Sequence, residues 1–248
     1  MGYYYAEKEL FKEIVMTTGT YDEKTGEVYR HPLTFLLEAA DDIAYCTADV
    51  EDGVKKQFIK IEYLVEILKK NIPENKSLHE DLISYKNHAM MRKYDDPDLY
   101  AVQRWSVKIQ GIFIKSAALS FIKNYEKIMN GEYKVDLFEG TEAEILLKTL
   151  KKLTYEEVFR SKTIARMEIV ASNIINYFLD NFVNAVLYWD TEYEKEMSGI
   201  DRKYVRILSE TQRHIYSHYC KKYIESEEIK NIGDEMHKRK KSTPISFI

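Results

Sequence analysis

"RHPLTFLLEAADDIAYCTADVEDG", residues 30–53, is the stretch on which the reading of this chain turns. Pro32 suits the first turn of a helix, and Gly53 marks its expected end. At about 100° per residue, Leu33, Leu36, Ala40, Ile43, Thr47, Val50 and Val54 share one side, which the spacing predicts to be the core face. The opposite side collects Glu38, Asp41, Asp42, Asp49 and Asp52 around Tyr45. Asp41, Tyr45 and Asp49 lie at i, i+4 and i+8, a column about 12 Å long at about 1.5 Å per residue. Like charges at this spacing repel by a few tenths of a kcal/mol per pair in water. A divalent cation, a cluster of Lys and Arg from another helix, or plain solvent would each offset that repulsion.

Outward from this helix, the rest of the sequence reads as all-α. The 248 residues are 45% hydrophobic and 13% aromatic, enough for a packed core, and contain only nine glycines and four prolines. Leu, Ile, Ala, Glu and Lys recur at helical spacing. Helices are predicted from about Tyr5 to Thr17 and around Lys60 to Lys70, ending before "NIPENKS", and another leads to "YDDPDLYAVQRW". There Asp96 and Pro97 have the pattern of an N-cap and first-turn proline. A helix of some thirty residues follows, stopped at Gly131. Thr141 and Glu144 stand in capping-box spacing before a helix reaching Lys152, and two more occupy 154–189 and 201–225. With no linker composition, residues 1–225 read as one helical domain and 226–248 as a loose basic tail.

Net charge is −4 with both signs mixed, so only "HKRKK", His237 to Lys241, is locally basic. That composition predicts no specific nucleic-acid partner. Cys46 and Cys220 lack metal spacing, and the N-terminus lacks a leader pattern, so a cytoplasmic location is expected. The apolar run at 169–189 is interrupted by Asn173, Asn176, Asp180, Asn181 and Asn184, which argues against a membrane span. Arg104, Lys108 and Trp105 sit on an amphipathic helix whose expected core residues are Trp105 and Ile109.

"GYYYAEKELFKEI" followed by residues 30–53, with "EAADDIAY" and "ADVEDG" at its centre, resembles the middle of bacterial deoxynucleoside triphosphate triphosphohydrolases. These are the dGTPase-like branch of the HD-domain phosphohydrolases. The likeness is closest over residues 1–53; residues 54–225 are similar to the family's phosphohydrolase-associated helical region. The resemblance implies hydrolysis of a dNTP to deoxynucleoside and tripolyphosphate with a divalent metal, Mg or Mn. It places Asp41 as a metal ligand, Tyr45 against the triphosphate and Asp49 at the sugar 3′-hydroxyl, and it assigns no catalytic residue to this segment.

The family's other metal ligands, a histidine and a His-Asp pair, belong to helices N-terminal to the matching segment. None of His31, His79, His88, His214, His218 and His237 is followed by aspartate. His214 and His218 stand at i, i+4, a spacing that can chelate a metal from a helix. The expectation is a truncated, HD-phosphohydrolase-like C-terminal portion, inactive alone. A different expectation is a non-catalytic helical module that forms a homo-oligomer or associates with a full-length relative, through apolar surface on the Leu36 side.

Overall fold

A computed structural model describes residues 3–4, 7–189 and 194–224. The expected tail, 226–248, lies outside the described residues, as do Tyr5 and the side chain of Cys220. The described residues contain no strand, only a single antiparallel bridge between Tyr21 and Val28, and ten α-helices. These are α1 (Lys8–Thr17), α2 (Pro32–Lys55), α3 (Ile61–Asn71), α4 (Lys76–Met91), α5 (Pro97–Lys123), α6 (Tyr125–Met129), α7 (Glu144–Thr154), α8 (Lys162–Tyr188), α9 (Gly199–Ile207) and α10 (Glu210–Ile224). A π-helical turn, Tyr155–Phe159, follows α7. Among the described residues no helix is long and apolar enough to cross a membrane. The chain divides into two compact units, residues 1–166 and 167–248, with the boundary inside α8.

In the first unit, α5 is the spine, packed along α2 on one side and α4 on the other. Its start follows from Asp96, whose Oδ1 accepts from the Leu99 N–H at 2.9 Å, with Pro97 in the first turn. Trp105, Ile109 and Phe113 are fully buried along it. The Trp105 indole N–H donates to the Leu78 carbonyl at 2.8 Å, giving α4 a polar anchor inside the core. Lys86 binds Glu62 at 2.5 Å and Asp98 at 2.7 Å, joining α3, α4 and α5 at the surface.

α2 starts as Pro32 requires, and His31 caps it by accepting from the Leu33 N–H through Nδ1 at 3.2 Å. Its buried side is Phe35, Ala39, Ile43, Cys46, Thr47, Val50, Gly53 and Val54. The C-terminal part of the expected core face is therefore correct. Leu33, Leu36 and Ala40 are instead exposed, while Phe35 and Ala39 take their places. Stepping back from Ile43 by three and seven, or by four and eight, satisfies helical spacing equally well. The loop before α7 decides between them: Tyr133 packs its ring 5.5 Å from Phe35, so the 35/39 side is covered.

Other boundaries differ for local reasons. α2 runs through Gly53 to Lys55 and ends where Gln57 takes the left-handed conformation, φ 60°. Gly53 serves close packing instead, since a Cβ there would sit 2.6 Å from Ile59 Cδ1 and 3.1 Å from Val158 Cγ2. The expected thirty-residue helix breaks at Asn124, whose side chain bonds back to the Ser120 carbonyl at 2.9 Å, and Gly131 then stops α6. Thr141 forms no capping box, because its hydroxyl donates to Phe138 while the Glu144 carboxylate accepts from the Gly140 N–H. The segment 154–189 divides at residues 160–161, and 201–225 divides at Leu208, where Ser209 begins a new helical turn.

In the second unit, Ala185, Met197, Tyr204 and Val205 form a small core with Phe182, Tyr188 and Trp189 against it. The Tyr177 and Tyr204 hydroxyls are 2.9 Å apart, tying α8 to α9. Ser198 and Asp201 make the capping box that opens α9.

Candidate functional site on the carboxylate side of α2

Burial of Phe35, Ala39, Ile43 and Val50 turns the opposite side of α2 outward and fixes where its carboxylates stand. The hydroxyl of Thr47 holds that rotation: it donates to the Ile43 carbonyl at 2.9 Å and accepts from Gln110 Nε2 of α5, also at 2.9 Å. Cys46 lies beside it, buried, with its thiol pushed up to about 12 mainly by burial, which leaves it inert as a nucleophile or ligand.

The five acidic residues divide into two sets. Asp42 is bound by Lys151 of α7 at 2.6 Å. Glu38 faces Arg30 at 3.5 Å, and Arg30 also faces Asp136 at 3.6 Å. Arg30 Nη1 and Glu38 Oε2 make no hydrogen bond, yet their ion pairing leaves neither charge isolated. Asp52 is paired with Lys56 one turn later at 3.2 Å. Among the described residues no ion pair reaches Asp41 or Asp49. The repulsion foreseen on this helix is thus met by cations at Glu38, Asp42 and Asp52, and left unmet along the i, i+8 column.

Asp41 and Tyr45 are exposed, Tyr45 to 62%, and Asp49 is half-buried. Burial, aided by the neighbouring Asp52 charge, raises the pKa of Asp49 above the ordinary aspartate value. Asp41 lines a cavity of about 250 Å³ with Arg30, Phe35, Glu38, Asp42, Asp136 and Lys151. Tyr45 and Asp49 stand on the same helix side but outside this cavity. Lys151, Arg30 and Asp136 carried no sequence signal for the site. Lys151 is 109 positions from its partner, and only the packing of α7 on α2 brings them together.

A Mg or Mn site needs several oxygen or imidazole ligands. Among the described residues no three His, Cys, Asp or Glu side chains come together to hold a metal ion. Asp41 stands in the cavity as a carboxylate without an ion pair, and the described residues do not assemble a coordination set around it. His31 is used as a helix cap, and His214 and His218 lie on α10 in the other unit. Arg104 stacks over Tyr85 at 5.8 Å and Lys108 pairs with Asp81, so both serve the α4–α5 packing.

No family model matches the chain. Curated relatives do. A deoxyguanosinetriphosphate triphosphohydrolase-like protein of Listeria monocytogenes is 33% identical over 213 residues, 85% of this chain and 44% of the relative. A deoxyguanosinetriphosphate triphosphohydrolase of Yersinia enterocolitica is 25% identical over 246 residues, 95% of this chain and 47% of the relative. A triphosphohydrolase-like protein of Synechocystis is 26% identical over 188 residues, 75% of this chain. The chain thus spans about half the length of the curated relatives it matches. It is a homologue of the bacterial dGTPase-like family.

Proposed function

We propose that this chain carries one wall of a metal-dependent dNTP triphosphohydrolase site, in which dNTP and water become deoxynucleoside and tripolyphosphate. Asp41 contributes one oxygen ligand to a Mg or Mn ion, Tyr45 hydrogen-bonds the triphosphate, and Asp49 accepts from the sugar 3′-hydroxyl. The observation that carries this reading is the division of the carboxylates: Glu38, Asp42 and Asp52 have cations, while Asp41 and Asp49 do not. A bound cation and a sugar hydroxyl are the partners that such a column lacks. When bound, the metal would supply charge stabilisation at phosphorus. Among the described residues no three His, Cys, Asp or Glu side chains come together to hold a metal ion; on this proposal the remaining ligands come from outside them and the chain alone is inactive.

Two measurements test it. Hydrolysis of the four dNTPs with Mn²⁺, followed as deoxynucleoside and tripolyphosphate together, should show no turnover by the purified chain. Turnover abolished by Asp41→Ala would instead mean a complete metal site within this chain. Separately, Mn²⁺ titrated into the labelled protein should broaden the NMR signals of residues 38–49 first, and Asp41→Ala should remove that preference. Broadening that starts elsewhere, or survives the substitution, refutes the role given to Asp41.

A further inference from the structure

Asn130 and Gly131 form the single Asn-Gly step in the sequence. They end α6, a helix of five residues, too short to persist without its caps. Gly131 takes the left-handed conformation, φ 72°, and closes a Schellman turn. Its N–H donates to the Ile128 carbonyl at 3.1 Å, and the Glu132 N–H donates to the Lys127 carbonyl at 2.8 Å. Asn130 is exposed, and among the described residues no hydrogen bond holds its side-chain amide. Asn124 at the other end of α6 is the contrast: its amide donates to the Ser120 carbonyl at 2.9 Å, and Tyr125 follows it.

We infer that Asn130 is a site of spontaneous covalent modification, at which the chain converts this residue to isoaspartate and so uncaps α6. The Gly131 backbone nitrogen, once hydroxide has taken its proton, attacks the side-chain carbonyl carbon of Asn130. A C–N bond forms, the bond to the side-chain nitrogen breaks, and ammonia leaves, closing a five-membered succinimide. Water then opens the ring. Cleavage at the original backbone carbonyl leaves the main chain running through the side-chain carbon, an isoaspartate, and cleavage at the other carbonyl gives aspartate. Water is consumed, ammonia is released, and nothing is oxidised or reduced. Glycine leaves the attacking nitrogen unshielded, since it has no Cβ. Every other asparagine in the chain precedes a larger residue. The turn must open before the nitrogen is free, so the folded chain reacts more slowly than a free peptide, but the opening is confined to one short helix end.

The consequence is structural. The succinimide leaves the Gly131 nitrogen without a hydrogen, so the bond to Ile128 is lost, and the isoaspartate adds a backbone carbon between residues 130 and 131. Gly131 lies against Tyr29, where even a Cβ would come within 3.0 Å of the ring, and the Lys134 ammonium stands 4.5 Å from the same ring. A lengthened chain therefore displaces Tyr29, whose neighbour Arg30 lines the Asp41 cavity.

Incubation of the purified chain at about pH 7 and about pH 9, followed by peptide mapping and labelling with an isoaspartate methyltransferase, reads the result. Asn130 should be the main site of ammonia loss, with faster conversion at the higher pH, as removal of the Gly131 proton requires. Asn130→Gln should stop it. In NMR spectra the modified chain should show shifted Gly131 and Tyr29 signals. Asn130→Asp brings the new charge without the extra backbone carbon and should leave Tyr29 unshifted. An intact Asn130 long after the free peptide of residues 125–134 has converted overturns the inference. So does conversion spread equally over the other asparagines, or a modified chain whose Tyr29 signals match those of Asn130→Asp.

Discussion

α5 and α8 are equally long, 27 residues each, and the two end in opposite circumstances. α5 buries Ala101, Val102, Trp105, Ser106, Ile109, Phe113, Ala117 and Ser120 between α2 and α4. α8 carries an apolar stripe of comparable strength, yet only its last turns are covered, and Met167 to Phe178 face outward. Helical periodicity announces a face that needs cover and says nothing about where the cover comes from. For α5 it comes from the same unit of the chain; over residues 167–178 of α8 the described residues leave the face open.

The largest expected effect breaks or confirms that contrast directly. Trp105→Ala removes a fully buried ring and the donor to the Leu78 carbonyl, and should destabilise the 1–166 unit by about 3–5 kcal/mol in urea unfolding. Ile174→Ala, at a half-exposed position, should shift stability by less than about 0.5 kcal/mol. Comparable losses at the two positions would mean that α8 is covered within its own chain.

Glycines sharpen the same contrast at smaller scale. At Gly53 a Cβ meets Ile59 and Val158, both buried and neither free to retreat, so Gly53→Ala should cost about 1–2 kcal/mol despite the better helix propensity of alanine. Gly111, inside α5, has nothing within 4 Å of its would-be Cβ. Gly111→Ala should therefore stabilise by about 0.5–1 kcal/mol. Thermal unfolding of the two variants side by side gives the sign of each.

What the sequence alone discloses follows from the range of the forces involved. Asp96, Pro97 and Pro32 act on their own turn, and the helix starts read from them are where the structure has them. The all-α class likewise needs only local spacing. Ambiguity entered wherever a distant neighbour decides. Leu36 and Phe35 both fit the stripe of α2, and Tyr133, about a hundred positions away, selects Phe35. Gly53 has the composition of a stop signal, and its actual use depends on Ile59 and Val158. At the candidate site, the column Asp41, Tyr45, Asp49 was legible as one helix side. Its division into paired and unpaired carboxylates was not, because Lys151 arrives from α7.

The smallest expected effect lies in that column and concerns Asp49. Its carboxyl is raised above the usual aspartate value by burial first and by Asp52 second. A group whose folded pKa is raised holds its proton more tightly in the folded chain than in the unfolded one. The ionised form therefore detracts from stability above the folded pKa, and the deficit disappears as pH falls toward about 3.9, the unfolded value. Asp49→Asn should accordingly stabilise the chain at pH 7 by about 0.3 kcal/mol, the scale of one like-charge pair on a helix, and by nothing near pH 3. Urea midpoints of the two proteins at both pH values measure it. A gain that persists at low pH would point to packing of the amide, and no gain at pH 7 would mean that Asp49 already has a partner for its charge. The sign matters to the proposed function. A carboxylate kept ionised at some expense in stability, on the side of α2 where Asp42 and Asp52 have been given cations, is poised to accept a hydrogen bond that the folded chain does not itself provide.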